Sequence, residues 1–300
     1  MSQRPYLIKL LLMSAALFSH RGVHLTFKVL ARPSKTAFRL ASWNVMSPRH
    51  GSWDQRRDAL MQRLETLDAD ILALQEASPR IPFLSLDSDL ASLGYSAHRR
   101  EAADGIEPPA LYVRQSVFHV VWAGCHKRTV EAVLRPRTFS GADLGIINVH
   151  LMGALGQIKE RAFQVRKALR RLRAKLDAGE RGSPSSLVVC GDFNEAPDEG
   201  PLHRLLTAGT LLPGMSSSEI PGVPGFWDQL QLHDAYAEAG ADGVLTWPAQ
   251  APKRRIDYIL LSANMKCIGL PTCSDLDRTN YPSDHVLIAV DVGLRPNNKV

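Results

Sequence analysis

No aspartate or glutamate occurs before Asp54. The six bases of the first 37 residues (Arg4, Lys9, Arg21, Lys28, Arg32 and Lys35) are therefore uncompensated, and they equal the whole formal net charge of +6. Setting those six aside from the 36 Lys and Arg leaves thirty bases against 30 Asp and Glu, so residues 38–300 are neutral. A bulk-charge argument for polyanion binding is excluded, because the excess belongs to the N-terminal extension and not to a basic domain. The chain also lacks any CxxC pair or metal-finger spacing among Cys125, Cys190, Cys267 and Cys273, which argues against a structural zinc module. Cys190 lies in the apolar run SLVVC and reads as a buried free thiol. Cys267 and Cys273 could bridge only after export, and a reducing compartment is the default. There is no repeat period, disordered tail or leucine-rich repeat.

No apolar run approaches a membrane span: Leu10–Phe18 covers about nine residues where roughly twenty are needed. The extension, residues 1–36, reads as a targeting segment. Its basic, acid-free, serine-containing character continues to Lys35 and fits a mitochondrial-type presequence. The alternatives are a secretory signal peptide, with Leu10–Phe18 as its apolar region, and a downstream start that leaves a cytoplasmic protein.

What is present is a body with a core. The 300 residues are 45% hydrophobic, with five Trp and nine Phe spread along the chain, which suits an enzyme-sized globule. From Phe38 onward, strand-like and helix-like segments alternate. Residues 38–46, 70–76, 110–123, 128–134, 144–151, 185–194, 255–262 and 285–292 read as strands. Helices are expected over 53–68, with Leu60, Met61, Leu64 and Leu67 as the buried stripe, and over 157–177. The second buries Ile158, Ala162, Val165, Ala168, Leu169, Leu172 and Leu176 and carries eight cations, Arg161, Lys167 and Arg171 among them, on its polar side. A short helix falls around 201–207 and a Gly/Pro/Ser-rich loop over 213–225. Strands that follow one another directly do not suit a doubly wound parallel sheet. The expected fold is α/β: two packed mixed β-sheets flanked by helices, in one domain over 37–300.

The unusual residues fall in one kind of place. Asn44, Glu76, His150, Asp192, Asn194, Asp257, Asp284 and His285 each lie at or just beyond the end of an apolar run, in SWN, LQE, NVHL, GDFN, RIDYI and SDH. A carboxylate after ILALQ or LVVCG is costly to bury unless paired or metal-bound. Each residue also has a bland alternative. His150 can be a satisfied strand-end histidine, Asp257 an ion-pair partner of Arg255 or Arg254, Asn44 a turn cap, and Asp192 and Asn194 ordinary Asx-turn residues. Taken together, they point to one cleft. Carboxylate and amide oxygens suit a hard cation such as Mg²⁺, with Mn²⁺ the natural substitute.

Those segments, in this order, resemble the endonuclease/exonuclease/phosphatase superfamily, which includes DNase I, inositol-polyphosphate phosphatases and neutral sphingomyelinases, over about 37–292. The resemblance implies a four-layer α/β-sandwich and a Mg²⁺-dependent phosphodiesterase acting on a phosphoester substrate, nucleic acid first among them. It implies Glu76 as direct metal ligand, with Asn44 beside it and Asp284 adding carboxylate oxygen. Asp192 would orient or deprotonate the attacking water, and Asn194 would hold the phosphate or that water. His285, positioned by Asp257, would contact the phosphate, with His150 a second phosphate-binding or proton-donating histidine. A phosphatase or phospholipase-like activity on inositol phosphates, phosphoinositides or sphingomyelin is the alternative, favoured by the neutral body. CGDFNEAPDEGPLHRLL and YPSDH are similar to the CCR4-type deadenylase branch, as is DGIEPPALYVR more loosely, which would add Asp104 or Glu107 as a further acid. Lys253, Arg254 and Arg255 are further candidates for phosphate contact, and Trp247 for stacking.

Overall fold

The computed structural model describes residues 37–48, 50, 53–77, 86–101, 107–137, 142–154, 156–177, 186–220, 225–268, 272–273 and 281–295. The targeting segment expected over 1–36 lies outside them, as do Asp104 and residues 221–224.

One sheet is built from β1 (Ala37–Asn44), β2 (Ile71–Gln75), β3 (Tyr95–Arg99), β4 (Ala110–Arg114), β11 (Met265–Cys267), β12 (Thr272–Cys273) and β13 (Ile288–Leu294). Its order is β11-β13-β1-β2-β4-β3, with β12 also paired to β13. The other contains β5 (Phe118–Cys125), β6 (Thr129–Pro136), β7 (Leu144–His150), β8 (Ser186–Asp192), β9 (His233–Asp234) and β10 (Asp257–Leu261), in the order β5-β6-β7-β8-β10-β9. Both sheets are mixed. β1 and β2 run parallel, as do β7 and β8, while their other neighbours are antiparallel.

A parallel pair needs a crossover, and helices supply it: α1 (Trp53–Leu67) joins β1 to β2, and α3 (Ile158–Asp177) joins β7 to β8. Strand alternation then sorts the side chains into layers. Leu40, Ile71, Ala73, Ile146, Val188 and Ile259 fill the space between the sheets. Trp43, Leu72 and Leu74 face outward onto Leu60 and Leu64 of α1. Ile147, Val149, Val189 and Leu260 face outward onto Val165 and Leu169 of α3 and onto Leu205 of α4 (Leu202–Ala208). The order is helix, sheet, sheet, helix, the expected sandwich. Strands covered on both faces read as unbroken apolar runs, which is why periodicity found them.

Beneath the strand ends a polar link crosses this dry interior. Gln75 Nε2 donates to Asn148 Oδ1 at 2.7 Å, and Asn148 Nδ2 donates to the carbonyls of Leu74 and Ala110 at 3.0 and 2.8 Å. Both side chains are fully buried, and these bonds satisfy the Asn148 amide and the Gln75 Nε2, while Gln75 Oε1 has no partner among the described residues.

Three expectations need correction. Residues 110–123 are not one strand: a turn at 115–117 carries the chain from β4 in one sheet to β5 in the other. The short elements α2 (Asp87–Ser92), β3, β9, α5 (Ala235–Glu238) and β11 were not foreseen, being too brief to show a period. Arg161, placed on the polar side of α3, is buried. Its Nε donates to Glu195 Oε2 at 2.9 Å and its Nη1 to the Met152 carbonyl at 3.1 Å. A helical wheel sorts by residue type and cannot foresee a charge that turns inward to a partner.

Candidate active site

The strand register brings the predicted residues together. In the second sheet His150, Asp192 and Asp257 form one row, since Asp192 pairs with His150 on its parallel side and with Asp257 on its antiparallel side. In the first sheet Asn44 pairs with Gln75 and leaves Glu76 one residue beyond. Both parallel pairs end on the same edge, and there the two sheets meet.

Asn44 makes the junction. Its Nδ2 donates to Glu76 Oε1 and to Asp192 Oδ2, each at 3.1 Å. Its own Oδ1 accepts from Met46 N–H at 3.0 Å, and Glu76 Oε2 accepts from Ser47 N–H at 2.7 Å. Met46, Glu76 and Asn194 hold φ of 55°, 57° and 52°, a left-handed conformation that non-glycine residues adopt at a cost. Three such residues in one place are what an imposed geometry produces. Asp192 Oδ1 accepts from the Asn194 N–H at 2.8 Å, so the Asx turn expected as the bland alternative does form. It coexists with the site, because Asp192 Oδ2 faces Asn44 and Asn194 Nδ2 donates to the Leu151 carbonyl at 3.0 Å.

The histidines close the cluster. His150 Nε2 lies 3.7 Å from Glu76 Oε1 and 3.9 Å from Asp192 Oδ2. His285 Nδ1 is 3.0 Å from Asp257 Oδ2, and its Nε2 is 3.8 Å from Asp192 Oδ2. Burial opposes charge on His285, but Asp257 and Asp192 outweigh it and push its pKa up to about 10. Its two carboxylate neighbours thus favour the protonated ring, and a protonated ring is suited to binding a phosphoryl oxygen. Burial pushes Asp192 up, against His285 and His150, which pull it down. Glu76 is held low despite burial, by His150 and by its bonds from Asn44 and Ser47.

Asp257 does not pair with Arg255 or Arg254. Arg255 is buried and bonds Asp234 at 2.7 Å, while Arg254 pairs with Glu199. Arg255 is thus buried in a structural pair, which corrects its place as a phosphate candidate, while Arg254 is part-exposed and Lys253 exposed. Asp284 stands at the margin of the set. Its Oδ2 accepts from Trp247 Nε1 at 3.4 Å, and no ligand-distance contact joins it to Glu76 among the described residues. Trp247 is half-buried, with the Arg254 guanidinium 5.7 Å over its ring. Glu107 is buried.

Sequence reasoning missed the residues that hold this arrangement. The Arg56 guanidinium donates to the carbonyls of Val45, Met46, Ser47, His50 and Pro282, tying the loop after β1 to the SDH segment. Trp43 Nε1 donates to the His285 carbonyl at 2.8 Å, and Thr246 Oγ1 accepts from the N–H groups of Ile256 and Asp257 at 3.1 and 3.3 Å. An arginine in a helix and a threonine in a loop carry no local signal of such work.

The donor set fits a hard divalent cation. Glu76, Asp192 and Asp257 crowd three carboxylates around two imidazoles, with no thiolate among them. Asp192, Asp257 and His285 also bring one ligand atom each within 4.8 Å of one another. That trio is already satisfied internally through His285, whereas Glu76 is a quarter exposed and stands beside the Asn44 amide.

A model of the Endonuclease/Exonuclease/phosphatase family matches residues 41–285. Nocturnin of Xenopus laevis is 23% identical over 306 aligned residues, covering 85% of this chain and 72% of that protein. Among solved structures, ANGEL2, described as a 2′,3′-cyclic phosphatase and bound to adenosine-2′,3′-vanadate, superposes with a TM-score of 0.68 at 18% identity, over 86% of this chain and 96% of that one. D. rerio TDP2 complexed with a single-strand DNA product gives 0.62 at 20% identity, over 86% and 99%.

Proposed function

The chain belongs to the endonuclease/exonuclease/phosphatase family, a family of phosphoester hydrolases, and from that premise we propose that it is a Mg²⁺-dependent phosphodiesterase cutting nucleic acid. One observation carries the site's part of this reading. A single amide, Asn44, bridges the carboxylates of Glu76 and Asp192 from the two sheets, next to His285, which the carboxylates of Asp257 and Asp192 bias toward its charged form. Carboxylates that can hold a cation and a water thus stand beside a histidine that can hold phosphate.

Each residue then has a task. Glu76, with Asn44 beside it and Asp284 on the margin, would hold the metal. Bound there, the metal supplies charge neutralisation for the phosphoryl oxygens and the leaving oxygen. Asp192, nearly dry and fixed by Asn44 and the Asn194 N–H, orients the attacking water and takes its proton. His285, paired with Asp257, binds the phosphoryl oxygens, and Asn194, whose Nδ2 is bonded to the Leu151 carbonyl, offers its amide oxygen to the attacking water. His150 faces Glu76 and Asp192 from the opposite side, where it can bind oxygen or donate a proton to the leaving group.

Nucleic acid as substrate is supported by the adenosine-2′,3′-vanadate on ANGEL2 and the single-strand DNA product on TDP2. The neutral charge of residues 38–300 supports the rival, hydrolysis of inositol phosphates, phosphoinositides or sphingomyelin. A panel decides between them: the purified protein with Mg²⁺ on poly(A), generic RNA, single- and double-stranded DNA, inositol phosphates and sphingomyelin. Nucleic acid should be cut; turnover confined to inositol phosphates or lipid head groups overturns the nuclease reading.

A further inference from the structure

Beside the catalytic carboxylates opens a cleft of about 390 Å³, lined on one side by the start of β6 and on the other by α3. Arg100, Lys127, Arg128 and Lys167 line it, with Glu160 as the acid among its lining residues. A body with no net charge has concentrated cations next to its candidate active site, which whole-chain arithmetic conceals.

Arg128 connects the cleft to the site. Its carbonyl accepts the His150 N–H at 2.9 Å. Its half-buried guanidinium loses basicity to burial and regains part of it from Asp192, Glu76 and Glu160. Among the described residues, that guanidinium donates only to the Met152 sulfur, at 3.8 Å, and its Nε is buried without a partner. A weak sulfur acceptor leaves most of its donors unspent.

The second component is aromatic. Phe163 is 48% exposed, whereas Ala162, Val165, Ala168, Leu169 and Leu172 of α3 are buried in the core. Its ring borders the same cleft, and Lys167, one turn further along α3, holds its Nζ 5.9 Å from the ring centre. Cations alone would suit any phosphate ester. An exposed phenyl among them gives a sugar phosphate or inositol nothing to pack, but gives a base a face to stack on. A choline head group would meet repulsion from the same cations.

We propose that this cleft is a nucleotide subsite adjoining the scissile phosphate, in which a base of a single strand stacks on Phe163 and a neighbouring phosphate is held by Arg128 and Lys167. The assignment rests on the nuclease reading and sharpens it to a substrate with at least one further nucleotide.

The test is equilibrium binding of a short fluorescein-labelled single-stranded RNA to the full chain in EDTA, where nothing is cut. An abasic sugar-phosphate strand of equal length serves as the second probe. Phe163→Ala should weaken RNA binding by about fivefold or more, the equivalent of one lost stack. Phe163→Tyr should restore it, and the abasic strand should bind both variants equally. Lys167→Gln should lower the salt slope of log K by about 0.7, one phosphate contact on a single strand. Absence of RNA binding by the wild type, an unchanged Phe163→Ala affinity, or an equal loss for the abasic strand overturns the subsite. Phe163-dependent binding in a protein that cuts only inositol phosphates or lipids would retain the subsite and remove the nuclease reading. RNA cleavage with no dependence on Phe163 would do the reverse.

Discussion

Asp192 of β8 and Asp257 of β10 are direct cross-strand partners, two buried carboxylates opposed at the end of their strand pair. Like charges in that position destabilise a sheet, and His285 offsets this by reaching both. Asp192→Asn removes one of the opposed charges while leaving an oxygen for Asn44. We expect kcat to fall by about 10²–10⁴, the usual contribution of a positioned base, with a melting temperature equal to or above that of the wild type. Steady-state kinetics on an activated phosphodiester, with circular dichroism on the same sample, checks both. A variant retaining a tenth of the activity would remove Asp192 from its role.

Glu76→Gln keeps the size and one acceptor oxygen but removes the negative charge offered to a cation. The Mg²⁺ concentration for half-maximal turnover should rise at least about tenfold, and calorimetric titration should show the same loss of affinity. EDTA should abolish wild-type turnover, with recovery on adding Mg²⁺ or Mn²⁺. Turnover indifferent to EDTA would exclude the cation.

Asp234 gives a stability prediction with a definite pH window. Burial opposes its ionisation, but the hydrogen bond from His203 and the Arg255 charge outweigh that and hold its pKa down to about 2. It also accepts from the Tyr236 N–H at 2.9 Å, capping α5. A carboxyl whose folded value lies below its ordinary 3.8 contributes stability that is complete above that value and lost as pH falls toward 2. The amount is about 2 kcal/mol. Asp234→Asn should flatten unfolding free energy against pH between about 4 and 2, and at neutral pH destabilise by roughly 3 kcal/mol through the orphaned Arg255. Urea titrations across that range measure both.

Gly191 opens the GDFN segment at a φ of +128°, and a Cβ there would lie 2.1 Å from the Val149 carbonyl oxygen. Neither the conformation nor the space admits another residue. Gly191→Ala should cost at least about 3 kcal/mol by thermal or chemical unfolding; a neutral effect would mean that β7 and β8 can separate where His150 faces Asp192.

The candidate site is partly legible in the sequence because β1, β2, β7 and β8 are buried on both faces and end in, or lead straight to, a polar residue. An apolar run followed by Glu76, His150 or Asp192 is a local signal. The partners are not local. Asp257 lies next to two arginines in sequence and bonds neither, because its strand direction turns it toward His285 while Arg255 turns toward Asp234. Arg161 looked solvated because helical periodicity records type and not partner, and Glu195 is 34 residues away. The cleft around Phe163 was half visible: the cations of α3 were noted, but Arg128 and Arg100 come from other parts of the chain. Charge counted over the whole body cancels what geometry concentrates.

The amide link from Gln75 to Asn148, and the bridge from Asn44 to Asp192 above it, have a kinetic consequence. Neither sheet holds a working half of the site: one brings Asn44 and Glu76, the other His150, Asp192 and Asp257. An intermediate with only one sheet formed, or with both formed and undocked, shows ordered backbone and no turnover. Regain of activity during refolding therefore times the docking of the two sheets, and its lag behind the far-ultraviolet signal measures how long they wait for each other.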